Sequence, residues 1–424
     1  NSTASLILSA YHSITLNADI TVNGAGTLTL TTNNGIGGSK NVDGAVNFGT
    51  NSVVSFPDAA TNSPSLTING AVYSLLSNAS QLSGIGSTGY YALATDLDAT
   101  GLGTLSSSLI GNSAAFNGTF NGLGHTISNL TINNPSDQYT GLFGQVGTNG
   151  ILENISLIKA DIDGYYANNS YIGILVGKNS GTIINSHAQG TLSFKQPDSS
   201  SNVQLLYAGG LIGNNSGDIS NSSASVDITD NSNISNSIGG LVGNLDAGNI
   251  TNSYANGTIS TTKSGNIGGI SGNIGGLVGY TASSTSITDS YSQSNIISER
   301  SQAVGGLVGT SSSEIKNSYA SGDISYSGQT SVGGLIGYLI NGNISNSYET
   351  GSIFGTYNGA SAIGGLIGTS APGTTISSSH ATGSITADKP DPTSAAISYT
   401  GNFGGLIGYS GSNINNSYAT GNIE

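Results

Sequence analysis

Nine times in this chain a short glycine-bracketed apolar motif returns, and that recurrence constrains the fold more than any other feature. Gly-Gly-Leu-(Val/Ile)-Gly closes at Gly213, Gly243, Gly279, Gly309, Gly337, Gly368 and Gly408. Two looser copies precede these, Gly141-Leu142-Phe143-Gly144 and Gly173-Ile174-Leu175-Val176-Gly177. Successive closing glycines lie 28 to 40 residues apart. Self-similarity at such a period indicates an array of small units, each packed against its neighbours, rather than independent globular domains.

Each unit has a second half of the form Ile-x-Asn-Ser-Tyr-Ala-x-Gly-x-Ile. It is clearest over Ile250–Ile259, Ile315–Ile324, Ile344–Ile353 and Ile414–Ile423. His187 and His380 stand at the Tyr position in two copies, Ser223 in a third, and Asp289 replaces the Asn in a fourth. The apolar runs are short, rich in Ile and Val, and bounded by Gly, Asn and Ser, which reads as strand–turn–strand. Parallel strands without intervening helices predict an all-β fold, a right-handed parallel β-helix forming a single elongated rod. Equivalent strands then stack about 4.8 Å apart, and nine coils span roughly 40 Å. Ile and Leu ladders fill the interior. Gly permits positive φ or close backbone approach at corners. Asn tolerates the left-handed conformation and bonds along its own ladder.

Residues 136–424 hold the nine repeats. Residues 1–70 read as shorter coils, because Ser13–Val22 and Gly26–Leu30 alternate with period two. Residues 71–135 form a lead-in, with a short helix expected around Asn78–Ile85. Insertions at Lys195–Asp198, Ile267–Gly272 and Ala387–Thr393 read as loops bulging from single coils. Glu424 closes a repeat without a cap, so the natural protein is expected to continue in both directions.

Composition removes several functions. Eight Lys and Arg among 424 residues cannot neutralise a nucleic-acid backbone, and the net charge is −14. There is no Cys, so neither disulfides nor thiolate metal sites exist. No apolar run is long enough to span a membrane as a helix, and the acidity disfavours anionic membrane surfaces. With 36% hydrophobic and 7% charged residues, the chain lacks the signature of disorder.

The Gly-Gly-Leu-Val-Gly halves resemble the GLUG repeat of bacterial surface proteins. The segment from Phe116 to Ile127, with Gly141–Gly144 after it, resembles the lead-in to such repeats. The Asn/Thr/Gly coils of residues 1–70 are similar to filamentous-haemagglutinin-like exoproteins of the two-partner secretion route. The resemblance implies a β-helical stalk of a large secreted adhesin, tied to biofilm or host attachment. It also extends to large immunoglobulin-cleaving proteases, in which the repeats lie outside the catalytic domain.

A search for chemistry yields little. Asp96 with Asp98, and Asp161 with Asp163, are spaced to share a strand face and would suit glycoside hydrolysis if brought together; solvated turns are the plainer reading. His12, His125, His187 and His380 lack ligand spacing, and the last two read as rungs of the Tyr ladder. Asp388 and Asp391 could hold a weak calcium ion. Asn-x-Ser/Thr sites, as at Asn117, Asn129, Asn249, Asn256 and Asn343, follow from composition. Tyr254, Tyr291, Tyr319, Tyr348 and Tyr418 share one repeat position and should form a stripe, either an aromatic packing ladder or a platform for sugar rings.

No catalytic residue, metal or cofactor is assigned. The expectation is a non-enzymatic, extracellular stalk or adhesive segment acting by multivalent contacts, with exopolysaccharide or host glycans as partners. The alternatives are a filament or matrix subunit associating end to end and, third, a glycan-active β-helix enzyme.

Overall fold

In a computed structural model, the described residues are 3–33, 44–49, 52–134, 137–165, 170–195, 206–231, 236–262, 272–299, 301–328, 331–357, 361–388 and 401–424. Each repeat makes one coil of four sheet positions. One coil, for example, contributes Ala303–Gly305, Val308–Ser311, Glu314–Lys316, and then Tyr319–Ala320 with Ile324–Gly328. Stacked coil upon coil, these positions build a first and a second sheet of nine strands each, a third of fifteen and a fourth of eighteen. Among the described residues every strand pairing is parallel except one. This is the expected β-helix-like architecture.

The interior is a set of in-register ladders. Ile183, Ile219, Ile250, Ile287, Ile315, Ile344 and Ile376 pair successively in the third sheet. All are fully buried, as are Leu211, Leu241, Leu277, Leu307, Leu335 and Leu366 at the corner between the first two sheets. In-register parallel pairing satisfies the backbone, and stacking identical apolar side chains fills the core with one repeated choice.

The turn between the third and fourth sheets explains the Asn-Ser pair. Asn185, Asn221, Asn252, Asn317, Asn346 and Asn416 all have φ between 47° and 51°, as do Asp289 and Ser378. Asn adopts this left-handed conformation at lower cost than most residues. Its amide also bonds down the column, as from Asn185 Nδ2 to Asn154 Oδ1 (2.8 Å) and Asn317 Nδ2 to Asp289 Oδ1 (3.0 Å).

The serine that follows has a role the repeat pattern alone did not reveal. Each hydroxyl donates to the carbonyl two residues earlier and accepts the serine amide of the preceding coil. Ser318 Oγ donates to Lys316 O (2.8 Å) and accepts from Ser290 N (3.3 Å), while Ser347 Oγ accepts from Ser318 N (3.2 Å). Every rung therefore satisfies a buried amide that the turn leaves outside the sheet ladders. We expect Ser318→Ala to leave the Ser290 amide unpaired and to cost about 2 kcal/mol. Denaturant unfolding checks this, and a midpoint equal to that of the parent would refute the serine ladder as a source of stability.

The motif glycines were expected to provide positive φ or close approach. Gly305, Gly306 and Gly309 provide close approach: none has φ in the left-handed range. A Cβ on Gly305 would lie 2.0 Å from Val308 O, and one on Gly306 would lie 2.1 Å from Gly334 O in the next coil.

The N-terminal part departs from a simple continuation. Ser5–Ser9, Thr27–Thr31 and Ser65–Ile68 stack in parallel, and the predicted alternation appears in Thr27–Thr31, whose two leucines are buried. Asn69 (φ 50°) and Gly70 (φ 82°) then form a two-residue turn. The next strand, Ala71–Leu76, runs antiparallel to Ser65–Ile68 with Leu66 opposite Tyr73. The third sheet therefore contains strands of both directions, reversed at this hairpin.

A core built on Leu28, Leu30, Val54, Phe56 and Leu66 belongs to the N-terminal part, and a second core runs through the repeats. Backbone bonds from Val54 N to Leu123 O (3.0 Å) and Phe56 N to Ala94 O (2.8 Å) join the two parts. The helix expected around Asn78–Ile85 is a 3₁₀ helix over Ala79–Gly84, closed by an Asn78/Gln81 capping box.

Candidate functional site

The five repeat tyrosines form one column on the fourth sheet, because their strands pair in register. Ring centroids are 4.9 Å apart for Tyr254–Tyr291, 4.8 Å for Tyr291–Tyr319 and 5.0 Å for Tyr319–Tyr348, with planes within 5°. His380 continues the column between Tyr348 (5.1 Å) and Tyr418 (5.0 Å). It takes the rung that the repeat position assigns to it.

His187 holds the same repeat position, but the next rung is Ser223, whose hydroxyl lies 2.8 Å from His187 Nδ1. Burial pushes the His187 pKa down, which favours the neutral ring. Burial, followed by the neighbouring phenols, raises the pKa values of Tyr291 and Tyr319. Within the column each ring covers the face of the next. Sugar rings bind to aromatic faces, so the column offers mainly phenolic edges.

A second tyrosine group escaped the sequence reading. Tyr139, Tyr171 and Tyr207 form a column on the outer side of the first sheet with ring centroids 5.5 Å apart at each step, the first pair stacked and the second tilted by 50°. The available signal was a Tyr two residues ahead of the glycine in three successive repeats, at Tyr139, Tyr171 and Tyr207. This column stops where Ser237 and then Asn273 take the position.

The stop leaves a recess of about 310 Å³ whose lining includes Tyr207, Asn244, Asp246, Asn273, Tyr280 and Gln302. Tyr280 belongs to the second sheet, one coil beyond Asn244. Asp246 is held by two amides, Asn244 Nδ2 (2.7 Å) and Asn214 Nδ2 (3.1 Å), and Asn244 Nδ2 also donates to Asn214 Oδ1 (2.6 Å). Thr310 Oγ1 donates to Asn273 Oδ1 (2.7 Å), leaving the Asn273 NH₂ as that side chain's donor. Burial raises the Tyr207 pKa, and the Asp246 charge raises it further, so the phenol stays protonated.

The remaining sequence candidates lie apart from this recess. Asp96 Oδ1 accepts from Thr126 N (2.9 Å) and lies 3.2 Å from Nδ1 of buried His125, whose Nε2 is 3.0 Å from Val54 O. Asp98 caps the turn at Thr100 and accepts from Asn129; the hydrogen bonds from Asn129 and Thr100 lower its carboxyl pKa to about 2. Asp161 and Asp163 accept from Thr191 (2.6 Å) and Ser193 (2.8 Å) on the next coil. Each of these carboxylates thus serves a turn or a cross-coil rung. Asp391 lies outside the described residues, as do most of the three insertions. Among the described residues no group of three or more His, Cys, Asp or Glu converges as a metal site.

Comparison with known proteins matches part of the chain. Residues matching halomucin of Haloquadratum walsbyi are 43% identical over 79 positions, which is 19% of this chain and 1% of that protein. Among solved structures, a chain from Bacteroides ovatus provisionally assigned as an immunoglobulin A1 protease is 19% identical at TM-score 0.38, with 84% of each chain covered. A second, an IgA1 protease, is 20% identical at TM-score 0.41, covering 71% of this chain and 21% of that one. At these TM-scores neither likeness carries weight.

The family model of the GLUG motif matches residues 205–229, 234–260, 301–325, 328–353 and 399–424. The coils between and before those segments place their strands on the same sheets. The chain therefore carries GLUG repeats, five recognised by the family model within a stack of nine like-built coils.

Proposed function

We propose that this chain is an extracellular stalk and adhesive segment of a large secreted surface protein, a right-handed solenoid without enzymatic activity. It projects and repeats weak contacts so that attachment or cohesion arises by avidity. The observation that carries the reading is the uninterrupted ladder of nine coils, which presents the same outward positions at a fixed step. The GLUG repeats and the likeness to halomucin support surface association. The Asn/Thr/Gly coils at the N-terminus suit a filamentous-haemagglutinin-like exoprotein. Exopolysaccharides or host glycans are the partners that an acidic, amide- and hydroxyl-rich surface suits best.

The test is retention under shear. Beads coated densely with the folded chain should hold to exopolysaccharide- or glycan-coated surfaces, and sparsely coated beads should detach. Equal retention by beads carrying heat-unfolded chain, or none at any density, would overturn the proposal.

A further inference from the structure

From the recess between the first and second sheets, we infer a binding site for one ring of a neutral saccharide, flanked by Tyr207 and Tyr280. The inference deepens the adhesive reading and rests on it.

Tyr207 pairs with Ser237, one coil on, and Ser237 with Asn273. Asn244, in the same coil as Ser237, pairs with Tyr280 in the following coil. Tyr207, on the first sheet, and Tyr280, on the second, therefore stand two coils apart, about 10 Å along the stack, and the coil between them lines the recess with Asn236, Ser237, Asn244 and Asp246. In the intact tyrosine column each rung takes 4.8 to 5.0 Å. Two such steps separate Tyr207 from Tyr280 along the stack, which leaves room for one further ring at the level of the intervening coil.

The chemistry of the lining selects the ligand. Asn244, whose two N–H bonds are taken by Asp246 and Asn214, offers its Oδ1 as an acceptor, Asn273 offers its NH₂ as a donor, Gln302 offers a whole amide, and Asp246 offers a carboxylate already oriented by two amide donors. Paired donors and acceptors beside aromatic surface match the hydroxyls and C–H faces of a pyranose. Among the described residues the lining carries no Lys or Arg and one carboxylate, which disfavours anionic sugars. An isolated carboxylate is also a poor calcium cage. The pre-oriented Asn214–Asn244–Asp246 network lowers the ordering cost of binding.

The experiment titrates the full chain with cellohexaose, maltohexaose and N-acetylchitohexaose by calorimetry and saturation-transfer NMR. The Tyr207→Ala, Tyr280→Ala and Tyr338→Ala variants are run in parallel, and circular dichroism confirms their folding. Tyr338 lies farther along the same outward column as Tyr280 and is the control. We expect millimolar or tighter binding of at least one saccharide, weakened roughly tenfold by Tyr207→Ala or Tyr280→Ala and unchanged by Tyr338→Ala. Tyr207→Phe should retain most of the affinity.

Equal binding by all variants would overturn the site and leave the adhesive reading standing. So would no binding in solution while coated beads still hold to their surfaces. A calcium titration that saturates the parent but not Asp246→Asn, with no saccharide bound, would reassign the recess to a cation. No saccharide binding together with no bead retention would overturn both readings.

Discussion

Glu349→Ala is expected to make the protein more stable, by on the order of 3 kcal/mol at about pH 8.5, while leaving it close to the parent near pH 4.5. Glu349 stands where the sister coils place Ala320 and Ala381, and it pairs with both in register. It points inward and is 1% exposed, with no hydrogen-bond partner for either carboxyl oxygen among the described residues. Its stem packs on Gly334, where a Cβ would meet Glu349 Cγ at 2.3 Å. Desolvation raises its pKa to about 8, and repulsion from Asp323 adds to the rise. The nearby Gly383 amide opposes it, approaching the carboxyl without the alignment of a hydrogen bond.

The folded pKa lies above the unfolded one, so between about 4.5 and 8 the folded state binds a proton that the unfolded state has lost. Stability contributed by this group is intact below that window and lost as pH rises through it. The replacement by Ala uses the ladder's own residue and removes both the buried charge and the pH slope. Glu349→Gln should flatten the slope with a smaller gain, because it buries an unpaired amide. Denaturant midpoints of the three proteins across this pH range decide the matter. An alanine variant no more stable than the parent at the alkaline end would refute the assignment.

The second large effect falls on the first glycine of the motif. Gly305→Ala should cost about 3 kcal/mol or more, as much as emptying a core leucine site. The atoms nearest the added Cβ are all backbone, Val308 O at 2.0 Å and Gly337 N at 2.6 Å among them. Neither can yield without breaking rungs to the adjacent coil. In a stack whose coils touch only their neighbours, such damage also weakens the coils on either side. Gly101→Ala supplies the contrast: its Cβ would meet nothing within 4 Å, and a gain of about 0.5 kcal/mol is expected from the stiffer unfolded chain. Paired unfolding curves, with hydrogen exchange over residues 301–328, test the claim. Similar midpoints for the two variants would show that the motif glycines are not kept by close approach.

The period of the array, its parallel strands and the inward ladders were legible in the sequence, because Ile, Leu and Gly recur at fixed offsets and a stacked strand has one natural partner. The left-handed Asn and the tyrosine column followed for the same reason: repetition in sequence becomes adjacency in space. What repetition could not show, tertiary contact decided. The reversal at Asn69-Gly70 was hidden among many Asn-Gly pairs, because a turn residue pair specifies a bend but not which strands it joins. Glu349 was visible as an exception to the repeat, yet only packing shows that it points into the core. The recess beside Tyr207 exists because the first-sheet tyrosine column stops at Ser237 while Tyr280 stands on the second sheet two coils beyond Tyr207. Those positions lie tens of residues apart in the chain, and only the winding of the coils brings them together.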